Sequence, residues 1–462
     1  MATRTKDAKE KLSFGIEMEF FLAWRAESFT GTVPAPPGVQ VSPGAPLVVR
    51  RRWADVGDRV GALALIIDEA FQSPAGTVAP LDKNAVNYGD MEWNHLERYR
   101  RWSVVDDATL RALPKELADR SYKDFGWVGA EIVSPALWAT NEGFDEVRRM
   151  CDFLQKHFWI FNPPQAGLHV HVGNGNEWLP LNSLRQIAAL LYAADPILAQ
   201  CHPRHRYENA FCTSPRLYSN VSFGLVNPIN NPPQSRLPTG PVEIERPSVY
   251  ANVIERVQNL FHHFASRTEP SKDNNVPTRV QFPTRPATAA YNLDKDTVQD
   301  ALWDLGGDYQ GPHNVQNYEP VPMVTAVGEI LKSADRQSIA RMMGIGPRRG
   351  AYSFAQLQKE AKRTIEFRQA ASTVDPIEVV TYARIAVGLC QFAASASHND
   401  LMQIILDCEI AEGNPSWFDV YDLLAEVGLT PEAKIMQAVL SGTLTDDMRR
   451  EYWLSRNHAP RL

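Results

Sequence analysis

Residues 14–22 read Phe14-Gly15-Ile16-Glu17-Met18-Glu19-Phe20-Phe21-Leu22. Side chains of a strand point alternately to its two faces. Phe14, Ile16, Met18, Phe20 and Leu22 therefore share one side, while Glu17 and Glu19 share the other. Three later segments have the same character: Gly129-Ala130-Glu131-Ile132-Val133, Gly167-Leu168-His169-Val170-His171-Val172-Gly173 and Thr364-Ile365-Glu366-Phe367-Arg368-Gln369. His169 and His171 fall on one face, as do Glu366 and Arg368. Each strand would bury an apolar side and present acid, imidazole or guanidinium on the other. Gathered into one sheet, the four make a floor of carboxylates, two imidazoles and an arginine. Such a floor is a metal and phosphate site.

The chemistry of each piece is separable. A Glu-x-Glu pair on a strand sets its carboxylates roughly 7 Å apart, from a rise of ~3.3 Å per residue. That spacing serves two cations, or one shared through water, although an isolated Glu-x-Glu is more often a solvated face. Mg²⁺ and Mn²⁺ prefer oxygen donors, and Mn²⁺ also accepts imidazole. Paired histidines on an apolar strand are metal ligands or hydrogen-bonded core residues. Catalytic zinc is disfavoured, because no cysteine lies nearby and Glu177 is too far along the chain for a cupin-type pattern. Glu366 and Arg368 form either a cross-strand ion pair or a metal ligand beside a phosphate-binding fork. Arg204, Arg206, Arg348 and Arg349 stand near loops, where they either meet anionic substrate groups or are simply solvated.

Composition narrows the class. The 462 residues, 44% apolar and 22% charged, suit a globular protein, and the net charge of −7 argues against a nucleic-acid partner. No stretch of ~18 apolar residues is visible, so no membrane span is expected. Five cysteines without CxxC spacing fit thiols of a reducing compartment, and cytoplasmic localisation is the expectation. No phosphate-binding loop, dinucleotide-binding turn or nucleophile elbow is present.

Mixed order of strands and helices favours α+β. Residues 31–49, with five prolines, read as a loop, and 226–290 as an insertion or lid carrying a helical stripe over Ser248–Phe264. A strand is expected at Trp102–Asp107 and a helix over Glu142–His157. Ser183 and Gln186 form a capping-box pattern for a helix reaching Ala194. The part from 375 to 462 reads as helical, with Asp375-Pro376, Asn414-Pro415 and Thr430-Pro431 as starts.

Taken together, these segments resemble the amidoligase family of the glutamine synthetase and glutamate–cysteine ligase superfamily. The residues that carry the resemblance are Gly15–Phe20, Trp102–Leu110, Gly129–Pro135, Gly167–Gly173 and Thr364–Gln369, in that order. Gly350–Phe354 resembles the segment before the final strand in fungal-type members. Ala370 departs, because members often carry histidine there. The resemblance implies a single catalytic domain over 1–462, built on a curved antiparallel half-barrel sheet with helices on its convex face. It implies ATP with two or more Mg²⁺ or Mn²⁺, a small carboxylate and an amine as substrates, and an acyl phosphate that the amine attacks. By position Glu19 and Glu131 resemble ligands of one metal. Glu17, Glu366 and one histidine, His169 before His171, resemble those of the other. Arg368 resembles the phosphate contact, with His171 and Glu131 also near the nucleotide. Asp107 resembles an aspartate that supports metal or amine. Because an acyl phosphate is lost to water unless solvent is excluded, the 226–290 segment, with Arg204 and Arg206 just before it, is expected to close over the acyl-acceptor side. Metal-dependent phosphotransfer or hydrolysis, and a silent scaffold, are the alternatives.

Overall fold

Strand β1, Ser13–Ala26, is the spine of the sheet. The side that carries Phe14, Ile16, Met18, Phe20, Leu22 and Trp24 is sealed in the main hydrophobic core. Burying one such side chain is worth about 1.5–3 kcal/mol, so this face alone fixes which way the strand lies. The computed structural model describes residues 12–31, 44–49, 56–78, 98–107, 110, 117, 125–207, 211–223, 321–345, 349–358, 362–414 and 417–458.

Among the described residues the other strands are β2 Leu47–Val49, β3 Ser103–Val105, β4 Phe125–Val133, β5 Leu137–Trp138, β6 Ile160–Phe161, β7 Gly167–Gly173, β8 Tyr352–Ser353 and β9 Ile365–Ala371. They form one open sheet in the order β3-β4-β1-β7-β9-β8, antiparallel along that path. The short strands β2, β5 and β6 pair with β1, and only β2 runs parallel to it. The fold is thus α+β on an open antiparallel sheet.

Helices pack on the apolar face. Asn141–His157 buries Phe144, Val147, Met150 and Leu154 and is capped by Thr140, whose hydroxyl accepts from the Gly143 amide. Pro376–Ser395 rests on β7 and β1. Asp375 caps it by accepting from the Ile377 amide at 3.0 Å, and Arg449 forks onto that carboxylate with two 2.8 Å bonds. At 20 residues and mean hydropathy 1.3 this helix is long and apolar enough to cross a bilayer, yet 72% of that window is buried inside the protein. The five cysteines are buried thiols outside any disulfide.

Several boundaries differ from the sequence expectation. The strand expected at Trp102–Asp107 is only Ser103–Val105, which leaves Asp107 in the following turn. The Ser183–Gln186 box is not used: the helix runs Leu181–Leu198 and begins at Pro180, whose carbonyl accepts from the Leu184 amide. That helix is buried on nearly every side, so packing sets its start. Asn414 ends the helix His398–Gly413, and the next one, Val420–Glu426, is capped by Asp419 in a reciprocal box with Asp422. Leu429, not Thr430, occupies the cap of Thr430–Ser441. The proline-rich stretch 31–49 ends in β2. Residues 32–43, the 226–290 segment with its Ser248–Phe264 stripe, and Arg348 lie outside the described residues.

Candidate metal centre

Register builds the site. Glu19 of β1 pairs with Glu131 of β4, and Glu17 pairs with His169 of β7. His171 pairs with Glu366 of β9. Side chains directly opposite on adjoining strands have Cβ atoms about 4.5–5.5 Å apart, so four strands bring their polar residues onto one face. Between Leu168 and Val170 the β7–β9 register slips, because two residues of β9, Arg368 and Gln369, stand against the single His169. This bulge keeps Arg368 beside Glu366 in the cavity lining while Ala370 joins the core. The position where a family histidine was expected thus packs against the helices.

Two clusters result. In one, Glu17, His169 and Glu366 each offer a donor atom; in the other, Glu19, Asp107 and Glu131 do so, and in each the atoms lie within 4.8 Å of one another. His169 Nδ1 is 3.4 Å from Glu17, 3.6 Å from Glu19 and 3.8 Å from Glu366. The second imidazole, His171, sets Nε2 3.1 Å from Glu17 and Nδ1 3.3 Å from the Thr364 hydroxyl. The Gly167 amide donates to Glu19 at 2.8 Å. Gly167 is needed there, because a Cβ would stand 2.6 Å from the Arg206 guanidinium and 3.0 Å from His169 Nε2. His169 therefore turns Nδ1 to the carboxylates and Nε2 to the glycine. Carboxylate oxygens with an imidazole suit Mg²⁺ or Mn²⁺, so the donor set fits the expected ions.

The crowding shows in the electrostatics. Burial pushes the Glu131 carboxyl up, Glu17, Glu19 and Asp107 push it further, and it reaches about 8. For Glu17 burial acts upward, but His171 and His169 outweigh it and hold the group well below the usual range. Glu366 is likewise raised by burial and brought below normal by His171, Arg368 and His169. Burial lowers His171, yet Glu17 and Glu366 leave it raised. Groups raised on folding, Glu131 and His171, stabilise at low pH and lose that contribution as pH climbs; the lowered carboxyls lose theirs as pH falls. Metal-free protein should therefore melt highest near pH 5 and lose stability as the pH climbs from there to about 8, about 5 °C in all by pH 9. Mn²⁺ should remove most of the alkaline loss. A flat melting temperature from pH 6 to 9 without metal would show that the carboxylates are not crowded as described.

The clusters floor a cavity of about 560 Å³, within the range of small-molecule sites. Its wall includes Phe211, Met343, Ile345, Tyr352 and Phe354. Arg368 contacts Glu366 and donates to the Phe211 carbonyl at 3.1 Å. Arg206, expected to face substrate, is almost wholly buried. Its guanidinium donates to the carbonyls of Ala166 (3.0 Å), Arg368 (2.7 Å) and Gln369 (3.4 Å). It braces the bulge from beneath while still standing in the cavity lining. The backbone of Arg204 lies in the four-residue helix Arg204–Tyr207, and its side chain is outside the described residues. Arg349 is exposed at the cavity rim. Lys362, in the lining, carries no strand pattern in the sequence. Its only signal is proximity to the Thr364–Gln369 segment.

Residues 10–219 match the model of a family described as "Putative amidoligase enzyme". None of the curated proteins compared matches the chain. The match supports the amidoligase family and spans β1 to β7; it stops before β8 and β9, the latter carrying Glu366 and Arg368.

Proposed function

We propose that the protein is an ATP-dependent carboxylate–amine ligase that uses two divalent cations, Mg²⁺ or Mn²⁺. The observation that carries this is the pair of three-donor clusters side by side in one cavity, with a guanidinium in contact with one of them. Glu19, Asp107 and Glu131 would hold one ion, and Glu17, His169 and Glu366 the other. Bound there, the ions supply charge neutralisation for a polyphosphate. The lining sets five carboxylates against four cationic side chains, so two divalent ions turn it positive by about three charges. An ATP phosphate chain and a carboxylate answer that excess. In the reaction proposed, the acid's carboxylate takes the γ-phosphoryl and ADP leaves. The amine then displaces phosphate from the acyl carbon and gives up a proton. The open antiparallel sheet, helices on one face and ligands on the other, suits a glutamine-synthetase-like half-barrel.

The deciding measurement is ADP release with ATP, Mg²⁺ and mixed small acids and amines, with mass-spectrometric detection of the condensed product. Release that requires both an acid and an amine is expected. Release that needs no amine would make the protein a hydrolase and overturn the ligase assignment.

Arg368 gives a second check. Its fork spans Glu366 and the Phe211 carbonyl, a geometry that an ammonium cannot reproduce. Arg368→Lys should lower turnover about a hundredfold, as loss of a donor placed for the transition state does. Normal turnover with a lowered melting temperature would assign Arg368 to structure alone.

A further inference from the structure

Lys362, on the turn that enters β9, lines the cavity together with both clusters, and its charge is felt by Glu17, Glu366 and Glu131. Its ammonium lies 5.3 Å from the ring centroid of Tyr99, which sits on the short 3-10 turn Arg98–Arg100, and both side chains are partly buried. The other cations of the lining are placed differently. Arg206 spends its donors on main-chain carbonyls, Arg368 on Glu366 and the Phe211 carbonyl, and Arg349 stands out at the rim. Burial disfavours the charged amine of Lys362, but Tyr99, Glu17 and Glu366 more than offset it, so it remains an ammonium.

The backbone next to it is strained. Arg363 has φ 49°, the left-handed region, and is the only non-glycine residue there among the described residues. For an L-residue this costs about 1–2 kcal/mol. It is held by a 2.5 Å bond from the Arg363 guanidinium to the Asn176 carbonyl and by that guanidinium lying 4.8 Å from the Trp178 ring centroid. Thr364, one residue on, meets His171. Strain of this kind persists where surroundings over-determine it, and it clusters at ligand clamps.

We propose that Lys362, presented by Tyr99 and the left-handed Arg363, is an oxyanion-binding residue of the cavity, receiving a phosphoryl or carboxylate oxygen once divalent cations fill the two clusters. The inference rests on the metal-dependent ligase assignment. Without cations, Glu17 and Glu366 attract the ammonium. When those carboxylates ligate an ion, Lys362 faces a like charge, and an anion between the two makes the arrangement favourable.

The test is calorimetry on Lys362→Met, Lys362→Arg and Arg363→Gly. The probes are Mn²⁺ alone, then pyrophosphate and succinate added to the Mn²⁺-loaded protein. Lys362→Met should bind Mn²⁺ several-fold more tightly, since a like charge is gone, yet lose at least tenfold in affinity for one probe. Lys362→Arg should keep most of that affinity. Whichever probe is lost tells whether the oxygen belongs to a nucleotide's phosphate chain or to the acid substrate. Arg363→Gly should raise the melting temperature and still weaken the same probe. Wild-type binding of both probes by Lys362→Met, or a parallel loss of Mn²⁺ and probes, would overturn the inference and leave the ligase assignment standing. Failure of wild-type protein with Mn²⁺ to bind pyrophosphate at all would overturn that assignment, and the inference with it.

Discussion

Glu17→Gln should reduce the Mn²⁺ bound per chain from two ions to one and lower amide formation by about a thousandfold or more. Glu17 is the hub of its cluster: one oxygen lies 3.1 Å from His171 and the other 3.4 Å from His169. Glutamine keeps the volume but removes the charge that keeps His171 raised, so one substitution disables the ligand set and loosens both imidazoles. Glu19, Asp107 and Glu131 stay intact on the neighbouring strands, and their ion should remain. Calorimetric titration of metal-stripped protein gives the count, and circular dichroism confirms that the sheet is kept. Two ions bound with unchanged affinity would remove Glu17 from the metal site.

Arg206→Met should cost about 3–5 kcal/mol of stability. Loss of this side chain takes a donor from three buried carbonyls, each worth about 1–3 kcal/mol where no other donor replaces it, and of the three Ala166 keeps the Ser372 amide. The penalty falls on the β9 bulge, since two of those carbonyls belong to Arg368 and Gln369. Chemical denaturation should therefore show a lower midpoint with an unchanged slope. A variant as stable as wild type but without turnover would return Arg206 to the substrate-facing role that its sequence position suggested.

The floor of the site was legible because β1 and β7 alternate without interruption. Phe14, Ile16 and Met18 against Glu17 and Glu19 admit one orientation, and His169 with His171 admit the same. The resemblance sets Glu19 with Glu131 and Glu17 with Glu366 and His169, and the structure adds Asp107 to the first group. The bulge was not legible. Glu366-Phe367-Arg368-Gln369-Ala370 reads as regular alternation, and only the pairing of Leu168 with Ala370 and of Val170 with Phe367 shows that β9 carries one residue extra. The burial of Arg206 was not legible, because charged residues near loops are mostly solvated, whereas here Gly167 leaves room for a guanidinium. Lys362 and Tyr99 arise from irregular turns with no periodicity to mark them. Beyond Glu19 the polar face of β1 also changes character. Phe21 and Ala23 join Phe125, Trp127 and Ala166 in a second, smaller core, which ends the site along the strand.

The sheet order has a consequence for the chain as it is synthesised. Strand β7 ends at Gly173 and its neighbour β9 begins at Ile365, so the ribosome must add nearly two hundred residues before the two can pair. At about 5–20 residues per second that is roughly 10–40 s. During this interval a nascent chain can already hold Glu19, Asp107 and Glu131 together, yet it has neither Glu366 nor Arg368 and no partner for the outer edge of β7. One of the two proposed ion-binding clusters therefore precedes the residues that complete the other. An exposed strand edge invites pairing with other chains, so this is the stage at which the protein most needs a chaperone.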